Sequence, residues 1–149
     1  MPKTDILSLL EKDHKEAKAL LQEIIDQCDS EEDVDFSKVE EIRDALELHT
    51  KIEEKYLYPN AEEVEAAAEL VTESYKEHDE IKELLKELKD DLEPSEIGKY
   101  CKQILIGVEH HVEEEEDELF PILRKSWEQQ RLQELGEKAM EMKEKAMSR

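Results

Sequence analysis

The sequence predicts an all-α fold: a four-helix bundle built from two helical hairpin repeats, followed by a fifth helix at the C-terminal end. Composition, an internal repeat and the apolar rhythm carry that expectation. Of 149 residues 43% are charged and 38% hydrophobic, with three Gly and four Pro, and Leu, Glu, Lys and Ala dominate; this is the make-up of long helices rather than of sheets. The length suits one domain over residues 1–149, with the bundle at about 5–125 and the last helix at about 127–147. The segment His14 to Leu21 repeats as His78 to Leu85, 64 residues on, sharing His, Glu, Lys and a Leu pair; His49 to Pro59 repeats as His111 to Pro121, 62 residues on. Each half is thus a hairpin with one His early and a His-x3-Glu later, related to the other by a pseudo-twofold axis.

Apolar residues step by three and four along Leu10, His14, Ala17, Leu21 and Ile24, and along His78, Ile81, Leu85 and Leu88. Ile42, Ala45, His49, Ile52 and Tyr56, and Ile104, Val108, His111, Leu119 and Ile122, read similarly, so that all four stripes face one another. Thr4 and Asp5 open the first helix, and the polar run Asp29 to Asp35 separates it from the second. Pro59 is expected to bend or end helix two. A short helical connection over 60–70 follows, with Asn60 capping and Glu63 three residues on, and helix three then runs to about Asp91. Pro94 and Ser95 open helix four. After Trp127 the pattern Leu132, Leu135, Ala139 and Met142 predicts a helix folded over the bundle, interrupted in propensity only by Gly136.

A net charge of −22 without a local basic patch argues against nucleic-acid partners. The opening MPKTDILSLLEKDH carries no signal-like pattern and no stretch is apolar enough to span a membrane, so a cytoplasmic protein, monomer or homodimer, is expected. Cys28 and Cys101, without CxxC spacing, read as reduced thiols that define no site. No nucleophile with an adjacent base and no phosphate-cradling glycine loop appears, so no catalytic residue is assigned.

The chemistry resides in the repeated His and Glu. Residues four apart on an α-helix differ by about 40° of rotation and about 6 Å of rise, so His49 and Glu53 can converge on one point, as can His111 and Glu115. Adding His14 and His78 from the other two helices gives six ligands in the middle of the core, a dinuclear set. A lone His on such a stripe is usually a hydrogen-bonded core residue. Four of the five His in the chain, however, stand at matched places in a duplicated pattern. His110 also has a Glu four residues later, Glu114, but that register breaks the repeat, so His110 is read as a flanking residue and Glu113, Glu114 and Glu116 as a solvated acidic face. Imidazoles with carboxylates suit iron, manganese or zinc. Tyr56, Tyr75, Tyr100 and Glu118 are near enough in sequence to border the site, while the stem of Lys82 is expected to turn outward.

The segments EHDEIKELL, HTKIEEKYLYP and HVEEEEDELFP, over about residues 5–125, resemble the hemerythrin HHE cation-binding family. The resemblance implies an up-down-up-down bundle with a non-heme di-iron centre. His14 and His49 would hold one iron, His78 and His111 the other, and Glu53 and Glu115 would bridge them through an oxo- or hydroxo-bridged pair. Oxygen-carrying hemerythrins have a further His four residues after the third-helix ligand, where this sequence has Lys82; the remaining four His and two Glu look more like the iron-centre repair and iron-sensing members, with both irons open. The expected ligand is therefore a small diatomic molecule or peroxide (dioxygen, nitric oxide, hydrogen peroxide). The alternatives are iron sensing, storage or delivery, and a helical interaction module with a vestigial metal site.

Overall fold

The structure, a computed structural model, describes residues 4–30, 34–89 and 91–147. Residues 31–33 of the expected polar loop, Met1 to Lys3, Asp90, Ser148 and Arg149 lie outside it. Every element of the described residues is helical: α1 is Ile6–Asp29; α2 is Phe36–Ile52 continued through Glu53–Leu57 and Tyr58–Ala61; α3 is Ala68–Lys86; α4 is Pro94–Glu114 continued through Glu115–Leu119 and Phe120–Ser126; α5 is Gln129–Met147. The fold is an all-α bundle of the expected class.

Local chemistry opens α1, α2 and α4 near their expected starts. The Asp5 carboxylate accepts from the Ser8 backbone N–H at the head of α1 (2.8 Å), and Asp35 does the same for Ser37 at α2 (3.0 Å). Glu93 and Glu96 form a reciprocal capping box around α4, with Pro94 in the first turn, where its missing N–H costs nothing. Asn60 does not cap. Its side-chain amide donates to the Tyr56 carbonyl at 2.7 Å, and the connection to α3 is a 3-10 turn at Glu65–Ala67. Helix α3 also stops earlier than expected, at Lys86, where the backbone N–H groups of Glu87 and Leu88 tighten onto the carbonyls of Leu84 and Leu85.

Pro59 neither ends nor breaks α2. A proline removes one N–H and crowds the carbonyl four residues back, and here the ladder answers by widening to a π turn. The Tyr58 N–H reaches back five residues to the Glu53 carbonyl, and in the matching place the Phe120 N–H reaches Glu115, ahead of Pro121. The extra residue moves the buried stripe on by one. Leu57, at the end of the first π turn, rather than Tyr56, and Leu123, beyond the second, rather than Ile122, are fully buried. Earlier in α2, Leu46 takes the buried place expected of the exposed Ala45.

Two apolar layers follow. One joins Ile6, Leu7 and Leu10 of α1 to Ile52 and Leu57 of α2, Val71 of α3, and Leu119, Phe120 and Leu123 of α4; the other joins Leu21 and Ile24 to Ile42, Leu85 and Ile104. The start of α1 thus lies beside the end of α2, the start of α3 and the end of α4, an up-down-up-down arrangement. Helix α5 closes the first layer with Leu132, Leu135 and Ala139. Gly136 permits this, because a Cβ there would lie 2.2 Å from the Thr4 carbonyl oxygen; the glycine that lowers helix propensity is the point at which α5 crosses the entry to α1. No described helix is long and apolar enough to cross a membrane.

Candidate metal centre

Between the two apolar layers lies a polar one. His14 of α1, His49 and Glu53 of α2, His78 of α3, and His111 and Glu115 of α4 are all buried there, both glutamates completely. Their ligand atoms form two groups, His14 with His49 and His78 with His111, each completed by Glu53 and Glu115, and within each group the atoms lie within 4.8 Å of one another. The Nε2 atoms of His14 and His49 are 3.1 Å apart, as are those of His78 and His111. Glu115 turns Oε1 toward His14 at 3.2 Å and Oε2 toward His111 at 3.3 Å. Oε1 of Glu53 stands between the groups, 3.2 Å from His49 and 2.9 Å from His78. The six side chains singled out by the repeat therefore converge, with one carboxylate pair shared between two imidazole pairs.

Each imidazole is held from behind by a carboxylate. Nδ1 of His14 bonds Glu116 (2.7 Å), that of His49 bonds Asp13 (3.1 Å), that of His78 bonds Glu54 (2.8 Å) and that of His111 bonds Glu77 (2.9 Å). The pattern obeys the repeat. Asp13 and Glu77, each just before an early His, serve the later His of the neighbouring helix, and Glu54 and Glu116, each just after a ligand Glu, serve the early His. Sequence reasoning missed these four, and placed Glu116 in a solvated face although its side chain is only 31% exposed. Their signal was present as acidic neighbours duplicated beside each motif. With Nδ1–H donated to a carboxylate, Nε2 presents a lone pair inward. Lys82 bonds Glu54 at 3.0 Å and so braces His78 at one remove, while Lys143 of α5 pairs with Asp13.

The electrostatics call for positive charge at the centre. Glu53 Oε2 and Glu115 Oε1 are buried without a hydrogen-bond partner among the described residues. Two inward lone pairs 3.1 Å apart repel unless a proton or a cation stands between them. Burial opposes a charged His49 ring, yet Glu53 and Asp13 outweigh it and draw its pKa up to about 10. Burial likewise opposes a charge on His111, and Glu115 with Glu53 and Glu77 raises it well above the ordinary range. Glu53 is held well below its ordinary range by His49 and the other imidazoles, against the effect of burial. One proton in each imidazole pair does in part what a divalent ion would do in full, so the donor set fits a metal.

One further residue enters the layer. The Tyr58 hydroxyl, completely buried, lies 3.0 Å from His78 Nε2, 3.3 Å from His111 Nε2 and 3.2 Å from Glu53 Oε1, and donates to Glu115 Oε2. Residues five apart on an α-helix point about 140° apart, which is why position 58 does not read as sharing a face with Glu53; the π turn brings it round. Of the tyrosines expected nearby, Tyr75 packs edge-on against the Tyr58 ring (5.1 Å), whereas Tyr100 is half-buried in the distant apolar layer and Glu118 is exposed. His110 is largely exposed, near Glu77 and Glu114, as its register requires. Cys28 and Cys101 are free thiols, and burial pushes Cys101 up to about 12.

The comparisons with known proteins agree with this architecture. No curated protein and no solved structure matches the chain. The family model of the hemerythrin HHE cation-binding domain matches residues 5–123, from the cap of α1 to the last turns of α4, a span that includes all six inward His and Glu side chains and all four supporting carboxylates. The chain belongs to the hemerythrin HHE cation-binding domain family.

Proposed function

We propose that this chain is a non-heme di-iron protein that binds or reacts with a small diatomic or peroxide ligand. The observation that supports it best is the pair of imidazole couples, each backed by carboxylates at Nδ1, sharing two buried glutamates whose remaining oxygens have no hydrogen-bond partner among the described residues. Four His and two Glu shared by two ions leave each ion short of six donors, and the iron pair supplies the position at which a small ligand binds. Imidazole with carboxylate suits iron better than a thiolate-seeking metal, and manganese is the nearest competitor.

What the chain itself does is orient, shield and admit. The four supporting carboxylates fix the imidazole tautomers, and the two apolar layers exclude bulk water from both ends of the site. A cavity of about 760 Å³, lined mainly by α1 and α2, reaches His14, His49, His78 and His111 past Ala17, Leu20, Ile42 and Leu46, a path suited to a small, weakly polar molecule. Anaerobic loading with ferrous iron, followed by metal analysis and by spectra before and after dioxygen, peroxide or nitric oxide, tests the reading. Two irons per chain and a spectral change with one of these ligands are expected. Less than one iron per chain, or two irons inert to all three, would overturn it.

A second reading, iron sensing or delivery, is favoured by one feature. Asp13 joins His49 to Lys143 of α5, which ties occupancy of the site to the packing of the last helix. In that case chelation should loosen α5 before the rest of the bundle, measurable by amide exchange; equal protection of α5 with and without metal would refute it.

A further inference from the structure

The two halves of the site match by repeat but differ at the residue that closes each π turn. Tyr58 and Phe120 occupy equivalent places, each five residues beyond a ligand Glu at the end of a π turn. Phe120 lays its ring along His14, with centroids 6.2 Å apart and 15° between the planes, and brings no donor atom. Tyr58 brings an oxygen to the other group.

We propose that the Tyr58 oxygen is a fifth protein ligand to the metal held by Glu53, His78, His111 and Glu115, so that the two metal positions are chemically unequal. This rests on the two-metal reading above and deepens it. Most of the donor separations match the edges of a coordination shell. Donors about 2.1 Å from a six-coordinate ion stand about 3.0 Å apart along each adjacent edge. His78 Nε2 is 3.1 Å from His111 Nε2 and 2.9 Å from Glu53 Oε1, and His111 Nε2 is 3.3 Å from Glu115 Oε2. The Tyr58 oxygen is 3.0, 3.3 and 3.2 Å from His78, His111 and Glu53 and touches Glu115. It lies within 3.3 Å of all four, while His111 Nε2 and Glu53 Oε1 stand 3.6 Å apart, wider than an adjacent edge.

Hydrogen bonding alone accounts poorly for that crowding. A hydroxyl has one proton to donate, and here two carboxylate oxygens and an imidazole pair that shares a single proton surround it. A cation among them satisfies all five. On binding, the phenol proton leaves to solvent and the phenolate oxygen takes the metal in its place, with no change in oxidation state. The ring is held for this by Tyr75 at its edge and by the π turn, and it is fully buried. The consequence is directional. The ion at His78 and His111 gains a fifth protein donor, and the ion at His14 and His49 keeps the open positions, although the cavity touches both imidazole pairs. Exogenous ligands accordingly bind there.

The test is spectroscopic. The full chain is loaded with iron, oxidised to the ferric state with ferricyanide, and examined for a visible phenolate-to-iron charge-transfer band and for enhanced tyrosinate ring modes in resonance Raman. Wild type is expected to show both with two irons bound; Y58F should lose both while retaining two irons and its helix content; F120Y should intensify the band by adding a phenolate at the other ion. Two ferric ions bound without a phenolate signature in wild type would overturn the assignment to Tyr58 and leave the di-iron reading standing, as would a band that survives in Y58F. Failure of wild type to bind iron would overturn both. Should Y58F not fold, the wild-type signature and its increase in F120Y still decide the matter.

Discussion

Replacing Asp13 with Ala should weaken the metal held by His14 and His49 about 10- to 100-fold, the usual effect of removing a carboxylate that orients a metal-binding imidazole, or about 1.4 to 2.7 kcal/mol. The structure supports that range. Asp13 Oδ2 lies 3.1 Å from His49 Nδ1, and its side chain is 11% exposed, so water does not readily replace it. A metal on Nε2 puts the ring proton on Nδ1, and an Nδ1–H left buried without an acceptor costs about 1–3 kcal/mol. The two routes give the same magnitude. D13N keeps an acceptor while losing charge, so its deficit should fall at or below the lower end. Competition of cobalt(II) against a chromogenic chelator measures both variants without oxidation chemistry, and E77A, the repeat counterpart, should weaken the ion at His78 and His111 instead. A D13A chain with native helix content that binds both ions as tightly as wild type would refute the orienting role.

Three further outcomes follow from the same geometry. G136A places a Cβ 2.2 Å from the Thr4 carbonyl oxygen and 3.0 Å from the Ile6 nitrogen. Overpacking of this kind costs about 1–3 kcal/mol and outweighs the gain of about 1 kcal/mol in helix propensity, so thermal unfolding should move down by about 2–4 °C per net kcal/mol lost. The metal-free chain should lose stability between pH 6.5 and about 10: burial opposes the His49 charge, but Glu53 and Asp13 raise its folded pKa from 6.5 to about 10. A raised folded pKa gives stabilisation that is complete below the unfolded value and lost as pH climbs through the folded one. A metal on Nε2 replaces that proton, so the loaded chain should hold its denaturation midpoint across the window; a flat metal-free profile would count against the pairing. H110A should leave metal affinity unchanged, because that ring is 64% exposed and belongs to neither inward group, and a measurable loss would show that the ligand register is misassigned.

The sequence alone determined the helical class, the two-hairpin repeat and the six residues that meet in the polar layer. It could do so because each of those features is periodic. Spacing of three and four puts residues on one helical face whatever the tertiary context, and His49 with Glu53, or His111 with Glu115, needs no more than the pitch of one helix. The same regularity explains the errors. Tyr58, Leu57 and Leu123 take their inward places because Pro59 and Pro121 widen the ladder by one residue, and α-helical arithmetic carried past such a point assigns the wrong face to Tyr56 and Ile122.

Tertiary structure decided the rest, which depends on contacts between helices. That Asp13 supports His49 rather than its neighbour His14, and that Glu116 supports His14 across 102 residues of chain, follows from which helices lie side by side. Along the sequence these acids resemble any others in a chain where 43 residues are Asp or Glu. Gly136 likewise reads as a weak place in a helix until α1 is set against it. Local periodicity is written residue by residue, whereas the choice of a partner on another helix is made only when the packed bundle brings one of many chemically equivalent side chains within bonding distance.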